Sequence, residues 1–191
     1  MFWLVLGLIL FLGTHSVRIV ADPWRARVMG RLGHHGWKAA YSALSLLGLL
    51  LVIWGFGQAR QQPVVVWQPA LALKHLNSLF TLAAFILVVA AYVPRNHFKQ
   101  WLHHPMVLGV LLWALGHLLA TAMLADAVLF GAFLIWAVLD LLAAYRRDRA
   151  EGTVYVGAGL PGTLVTLLAG GLAWAAFALW AHRAWIGVSP F

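Results

Sequence analysis

Six stretches of about twenty mostly apolar residues divide this chain, and nothing else constrains its fold as strongly. They run at about 2–20, 37–56, 75–93, 105–124, 126–145 and 164–183. A helix of roughly 20 apolar residues crosses the hydrocarbon layer of a bilayer. Apolar residues make up 63% of the chain and charged residues 9%, against roughly 45–50% and 25% in soluble domains. The expected fold is therefore all-α: a polytopic membrane helix bundle of about six transmembrane helices, forming a single transmembrane domain over residues 1–191.

Prolines 23, 63, 69, 94 and 161 fall between the stretches, where a missing backbone donor does least harm. Pro105 opens the fourth stretch, at the helix position proline favours. Residues 2–12 are apolar with no basic segment before them and no small-residue cleavage pattern after them, so the first stretch is expected to be a retained helix.

The net charge of +8 comes from 13 Lys and Arg against 5 Asp and Glu. Ten of the basic residues sit in the first, third and fifth connections, led by Arg18, Arg25, Arg27 and Arg31. Only Arg60, Lys74 and Arg183 lie on the opposite side. The excess marks a cytoplasmic side and puts both termini on the outer side of the membrane. These charges read as topology signals and contacts to membrane lipid headgroups, not as a nucleic-acid surface. The loop at 57–74 is too short to span and is expected to lie along the outer interface, with Trp67 at headgroup depth. The glycine-rich connector from Gly152 to Gly162 lacks phosphate-loop spacing.

Candidate chemistry rests on histidine. There are nine, most near the ends of the apolar stretches, including His75 and the adjacent pair His103 and His104. Two stand apart. His15 follows a long apolar run in the first stretch, and His117 lies about thirteen residues into the fourth, some 20 Å along its helix at 1.5 Å per residue. An imidazole at that depth should face other helices, because lipid offers its nitrogens no partner. His15 and His117 could hydrogen-bond neighbouring helices, relay protons, or ligate a metal. A relay would recruit carboxylates, and Asp140, within reach of Arg18 or Arg146, is the only deep one. As a metal site, two histidines on separate helices with no cysteine suit a bis-imidazole haem b better than zinc, which takes three or four protein ligands. Arg18, three residues after His15, shares its helix face and could pair with a haem propionate. Ser16 and Thr121 adjoin the two histidines as supporting groups, and Gly109 and Gly116 bracket Trp113 where helices can approach closely.

Several of these residues also carry a resemblance. The opening Gly7 to Arg18, the block Gly36-Trp37-Lys38-Ala39-Ala40-Tyr41-Ser42, Ile53-Trp54-Gly55-Phe56-Gly57, Lys74-His75-Leu76-Asn77, Tyr92-Val93-Pro94 and His104-Pro105-Met106 through His117 occur in one order. Together they resemble the NnrU family of bacterial membrane proteins over about residues 1–147, with a less distinctive final span and tail over 148–191. The resemblance implies a role in denitrification, in nitrite and nitric oxide metabolism, alongside other respiratory membrane proteins. The family is in turn similar to the zeta-carotene isomerase of plants and cyanobacteria, which uses haem b to isomerise a cis double bond in a carotenoid. By that similarity the haem-ligand histidines fall on His15 and His117. Where the isomerase has a cysteine, this chain has Ala114. Two other roles stay open: a haem-dependent isomerase acting on a hydrophobic polyene, and a non-catalytic assembly partner of a respiratory reductase.

Overall fold

A computed structural model describes residues 1–155 and 157–190; Val156, within the glycine-rich connector, and Phe191 lie outside the described residues. Among the described residues seven α-helices follow in order: α1 (Phe2–Val20), α2 (Asp22–Ala59), α3 (Leu71–Tyr92), α4 (His97–Leu102), α5 (Pro105–Ala120), α6 (Leu124–Glu151) and α7 (Leu160–Ala176). A π-helical segment, Phe177–Ile186, continues α7 and stops at Gly187. Five helices are long and apolar enough to cross a membrane: α1, α2, α3, α6, and α7 with its continuation. The sixth expected span is the shorter apolar helix α5, with 16 residues. The protein is thus an all-α, polytopic membrane protein, as its apolar runs require.

Two features depart from the sequence reading. The stretch after α1 is helical rather than an open loop. Asp22 in the first turn and Pro23 at its start suit a helix N-terminus, and Asp22 accepts a hydrogen bond from Arg25 Nε at 2.6 Å. This arm ends where Gly33 adopts φ 72°, ψ 168° inside α2. Glycine is the residue that takes such a conformation cheaply. Its 38 residues would otherwise run about 57 Å straight, well beyond a bilayer's thickness. The second departure is in the outer loop. Val65 pairs antiparallel with Met123, through Val66 N–H to Ala122 O at 2.7 Å and Leu124 N–H to Val64 O at 2.8 Å. That pairing accompanies a non-helical break at residues 121–123, so the helix expected to run to 124 stops at Ala120 and α6 begins at Leu124.

The chain forms two compact units. The first comprises Met1–Trp67 and Ala122–Asp140. Here α1 lies along α2 at backbone distance because glycines face the contact. A Cβ on Gly48 would sit 2.7 Å from Phe11 N, and one on Gly7 would sit 2.5 Å from Val52 N. Small residues at helix contacts are how membrane helices gain packing without a hydrophobic driving force between them. On α1, Leu4 is fully buried and Leu8 nearly so.

The second unit comprises Gln68–Thr121 and the chain from Leu141 onward. Its centre is α3, which packs against α5 and α7. Gly109 and Gly116 of α5 meet Ala84 and Phe80 of α3, and Gly170 of α7 meets Ile86. Trp174 of α7 donates to Thr81 Oγ1 of α3 at 3.1 Å. The turn from α3 to α4 is held by Asn96, which is 2% exposed. Its Nδ2 donates to Ala90 O and Val93 O at 2.9 and 2.6 Å, and its Oδ1 caps α4 by accepting from Lys99 N–H at 2.8 Å.

Candidate functional site

His15 lies in the first unit, near the end of α1. Its ring Nδ1 is 2.7 Å from the carbonyl of Phe11, one turn back. A carbonyl oxygen only accepts, so Nδ1 carries the proton and Nε2 holds the lone pair. The neighbours do the same work with hydroxyls: Thr14 donates to Leu10 O and Ser16 to Leu12 O, each at 2.7 Å. One turn of α1 therefore gives a donor of each of the three polar side chains a local acceptor, as an apolar surrounding demands.

Aromatic rings enclose the imidazole. Phe11 lies 4.3 Å away centroid to centroid, Tyr41 of α2 at 5.4 Å edge-on, and Trp136 of α6 at 6.1 Å and nearly perpendicular. Phe133, one turn before Trp136, packs on Phe11 at 5.9 Å. Trp136 Nε1 is buried with no hydrogen-bond partner. An orphaned indole donor beside a histidine is a cost that a bound acceptor would relieve.

His117 lies in the second unit and repeats the arrangement. Its Nδ1 donates to the Trp113 carbonyl at 2.8 Å, again leaving Nε2 as the lone-pair nitrogen. Thr121 Oγ1 donates to the His117 carbonyl at 2.8 Å, so that hydroxyl supports the backbone of the turn. The adjacent Gly116 is pressed onto α3: a Cβ there would sit 2.5 Å from Asn77 Oδ1 and 2.9 Å from Phe80. Asn77 Oδ1 is itself buried with no partner. Because α5 ends at Ala120, His117 belongs to its last turn, closer to the helix end than a span to 124 implies.

Arg18 shares α1 with His15 but is exposed in the last turn. It makes no ion pair among the described residues. Asp140 lies one turn beyond Trp136 on α6 and is half-buried, while His75 is exposed in the first turn of α3.

The pair at the mouth of α5 has a partner that the sequence did not reveal. His104 Nε2 is 2.9 Å from Asp148 Oδ2, and His103 Nδ1 is 3.6 Å from the same oxygen. Tyr155 donates to Asp148 Oδ1 at 3.4 Å, and its ring stacks on His103 at 4.3 Å. Burial and the Asp148 charge raise the Tyr155 pKa above the ordinary tyrosine value. Its hydroxyl therefore stays a donor at neutral pH. Tyr145 donates to Leu102 O at 2.9 Å. His103 carries this cluster on a backbone with φ 61°, the kind of conformation non-glycine residues seldom hold without surrounding support. A single carboxylate set within the run Arg146-Arg147-Asp148-Arg149 was the available signal.

Fold and side chains together define a class: polytopic all-α membrane proteins that carry imidazoles inside their apolar helices, each with its tautomer fixed by the helix's own backbone. The chain belongs to the NnrU family, whose sequence model, described as NnrU protein, matches residues 3–190. The match runs well past residue 147, through the connector and α7. No curated protein and no solved structure matches the chain.

Proposed function

We propose that this NnrU protein is a multi-pass protein of the bacterial inner membrane that would hold haem b through the imidazoles of His15 and His117, and that it supports nitrite and nitric oxide metabolism. The carrying observation is the shared state of the two rings. Each donates its Nδ1 proton to the carbonyl one turn back, which presents Nε2 as the ligating nitrogen. Histidine ligands are ordinarily held in this way, their second nitrogen donating to a carbonyl or carboxylate that fixes tautomer and orientation.

The residues present suit the group. Two neutral imidazoles match the donor set of a bis-histidine haem, and the chain has no cysteine to compete. The orphaned indole N–H of Trp136 beside His15 is a donor awaiting an acceptor. Haem b, when bound, supplies a one-electron redox couple tuned by its ligands and their surroundings. His15 and His117 would bind it, Phe11, Tyr41 and Trp136 would exclude water on the His15 side, and Arg18 would pair with a propionate. Ala114, fully buried, offers no ligating atom where the resembling isomerase has cysteine. That favours a fixed pair of imidazoles, and so a redox role over polyene isomerisation.

The orientation with both termini periplasmic rests on the basic residues. Arg25, Arg27 and Arg31 ride on the helical arm Asp22–Leu32, where they would meet anionic headgroups. The test is genetic. A denitrifying strain lacking this chain should lose nitrite and nitric oxide reduction, and the wild-type chain should restore it. His15→Ala and His117→Ala should not. Full restoration by both variants, expressed at wild-type level, would overturn the haem reading while leaving an assembly role standing.

A further inference from the structure

The cluster around Asp148 opens onto a cleft of about 600 Å³ that the haem reading does not use. Its walls include Trp101, His103, Tyr145, Asp148, Arg149 and Thr153. Two opposite charges from adjacent positions of α6 face this cleft. Asp148 is only 14% exposed; His104 engages its Oδ2, whereas its Oδ1 has just the long 3.4 Å contact from Tyr155. It can therefore accept further hydrogen bonds. Arg149 is exposed and makes no ion pair among the described residues.

Each charge selects a ligand chemistry. A cation reaching Asp148 would also lie near the last turn of α6, where the helix dipole is negative. The faces of Trp101 and Tyr145 add cation–π attraction for an ammonium. Arg149 supplies a forked donor suited to a phosphate. The cleft stands at the arginine-rich end of a candidate membrane span, beside a Trp101 that is 70% exposed, the kind of residue found at headgroup depth. A purely anionic ligand would meet Asp148, and a purely cationic one would meet Arg149. A zwitterion satisfies both.

We propose that this cleft binds a phosphoethanolamine group, its ammonium at Asp148 between Trp101 and Tyr145 and its phosphate at Arg149. The ammonium's three N–H donors suit the under-used carboxylate better than a quaternary amine, which has none. The group can come from the headgroup of an aminophospholipid or from free phosphoethanolamine.

The full-length protein, released from nanodiscs containing equal phosphatidylethanolamine, phosphatidylcholine and phosphatidylglycerol, tests this by native mass spectrometry. Wild type should retain the ethanolamine lipid roughly fivefold over each of the other two, a difference of about 1 kcal/mol. Asp148→Asn and Arg149→Gln should each abolish that preference. Trp101→Ala, at an exposed position, should weaken it. Excess free phosphoethanolamine that strips the lipid would identify the soluble compound as a competent source; failure to strip it would assign the intact headgroup. Equal retention of the three lipids by wild type, or a preference surviving in both Arg149→Gln and Trp101→Ala, would overturn the proposal.

Discussion

The His15 imidazole donates from Nδ1 to the carbonyl of Phe11 at 2.7 Å, so the helix that carries the ring also fixes which nitrogen faces outward. Phe11 serves twice in this relationship. Its carbonyl holds the proton, and its ring lies 4.3 Å from the imidazole. The same backbone lies against Gly48 of α2, where a methyl group would sit 2.7 Å from Phe11 N. Packing of α1 on α2 and orientation of His15 are thus coupled through one residue.

Gly48→Ala should therefore disturb both. Overpacking a close helix contact costs about 1–3 kcal/mol, and here the neighbour is backbone and cannot swing away. Thermal unfolding in detergent, followed by circular dichroism, should show a lowered Tm. Gly13→Ala is the matched control, since nothing lies within 4 Å of its added Cβ. It should leave Tm unchanged or raise it slightly, because alanine is the better helix former. Equal effects of the two substitutions would refute the close-contact reading.

Asn96 is the second point where one side chain holds two elements. Asn96→Ala removes two donations to the end of α3 and the cap on α4, leaving buried carbonyls unmet. A loss of about 2–3 kcal/mol is expected. Asn96→Asp keeps the cap acceptor but not the donors, and should also destabilise, since a carboxylate would face two carbonyls. Proteolysis between α3 and α4 reports this locally: both variants should be cut faster than wild type, and wild-type resistance in both would contradict it.

Tyr155 makes the protein sensitive to alkali. Burial first, then the Asp148 charge, raises its pKa in the folded state above the ordinary value of 10.0. A raised pKa contributes stability that is intact below the unfolded value and is lost as pH rises through the folded one. The contribution of Tyr155 should thus be constant across neutral pH and fall above about pH 10. The fall should be shallower in Tyr155→Phe, measured by chemical unfolding at a series of pH values. Identical alkaline profiles for wild type and variant would show that the phenol is not held by Asp148.

How much of this was legible in the sequence follows from the range of the forces involved. Apolar runs of fixed length act locally, so each of the six stretches became a helix at its expected place. That His15 and His117 would ride on apolar helices was legible for the same reason. The depth expected for His117 was not, because α5 ends at Ala120 and leaves it in the last turn. The helical arm Asp22–Leu32 was not, since its arginines read as loop charges until Gly33 is seen to bend the chain. The early end of α5 depends on Val65 pairing with Met123, a contact between distant segments with no periodic signature. Asp148 likewise stands 44 residues from His104, and only the fold brings them together.

The most direct measurement is the visible absorption spectrum of the purified full-length protein, expressed with haem supplied, beside its His15→Ala and His117→Ala variants. The expected result is a Soret band with the visible bands of a low-spin, bis-imidazole b-type haem in wild type, lost or shifted in each variant. Absence of a Soret band in wild type after reconstitution, or unchanged spectra in both variants, would contradict haem ligation by these two histidines.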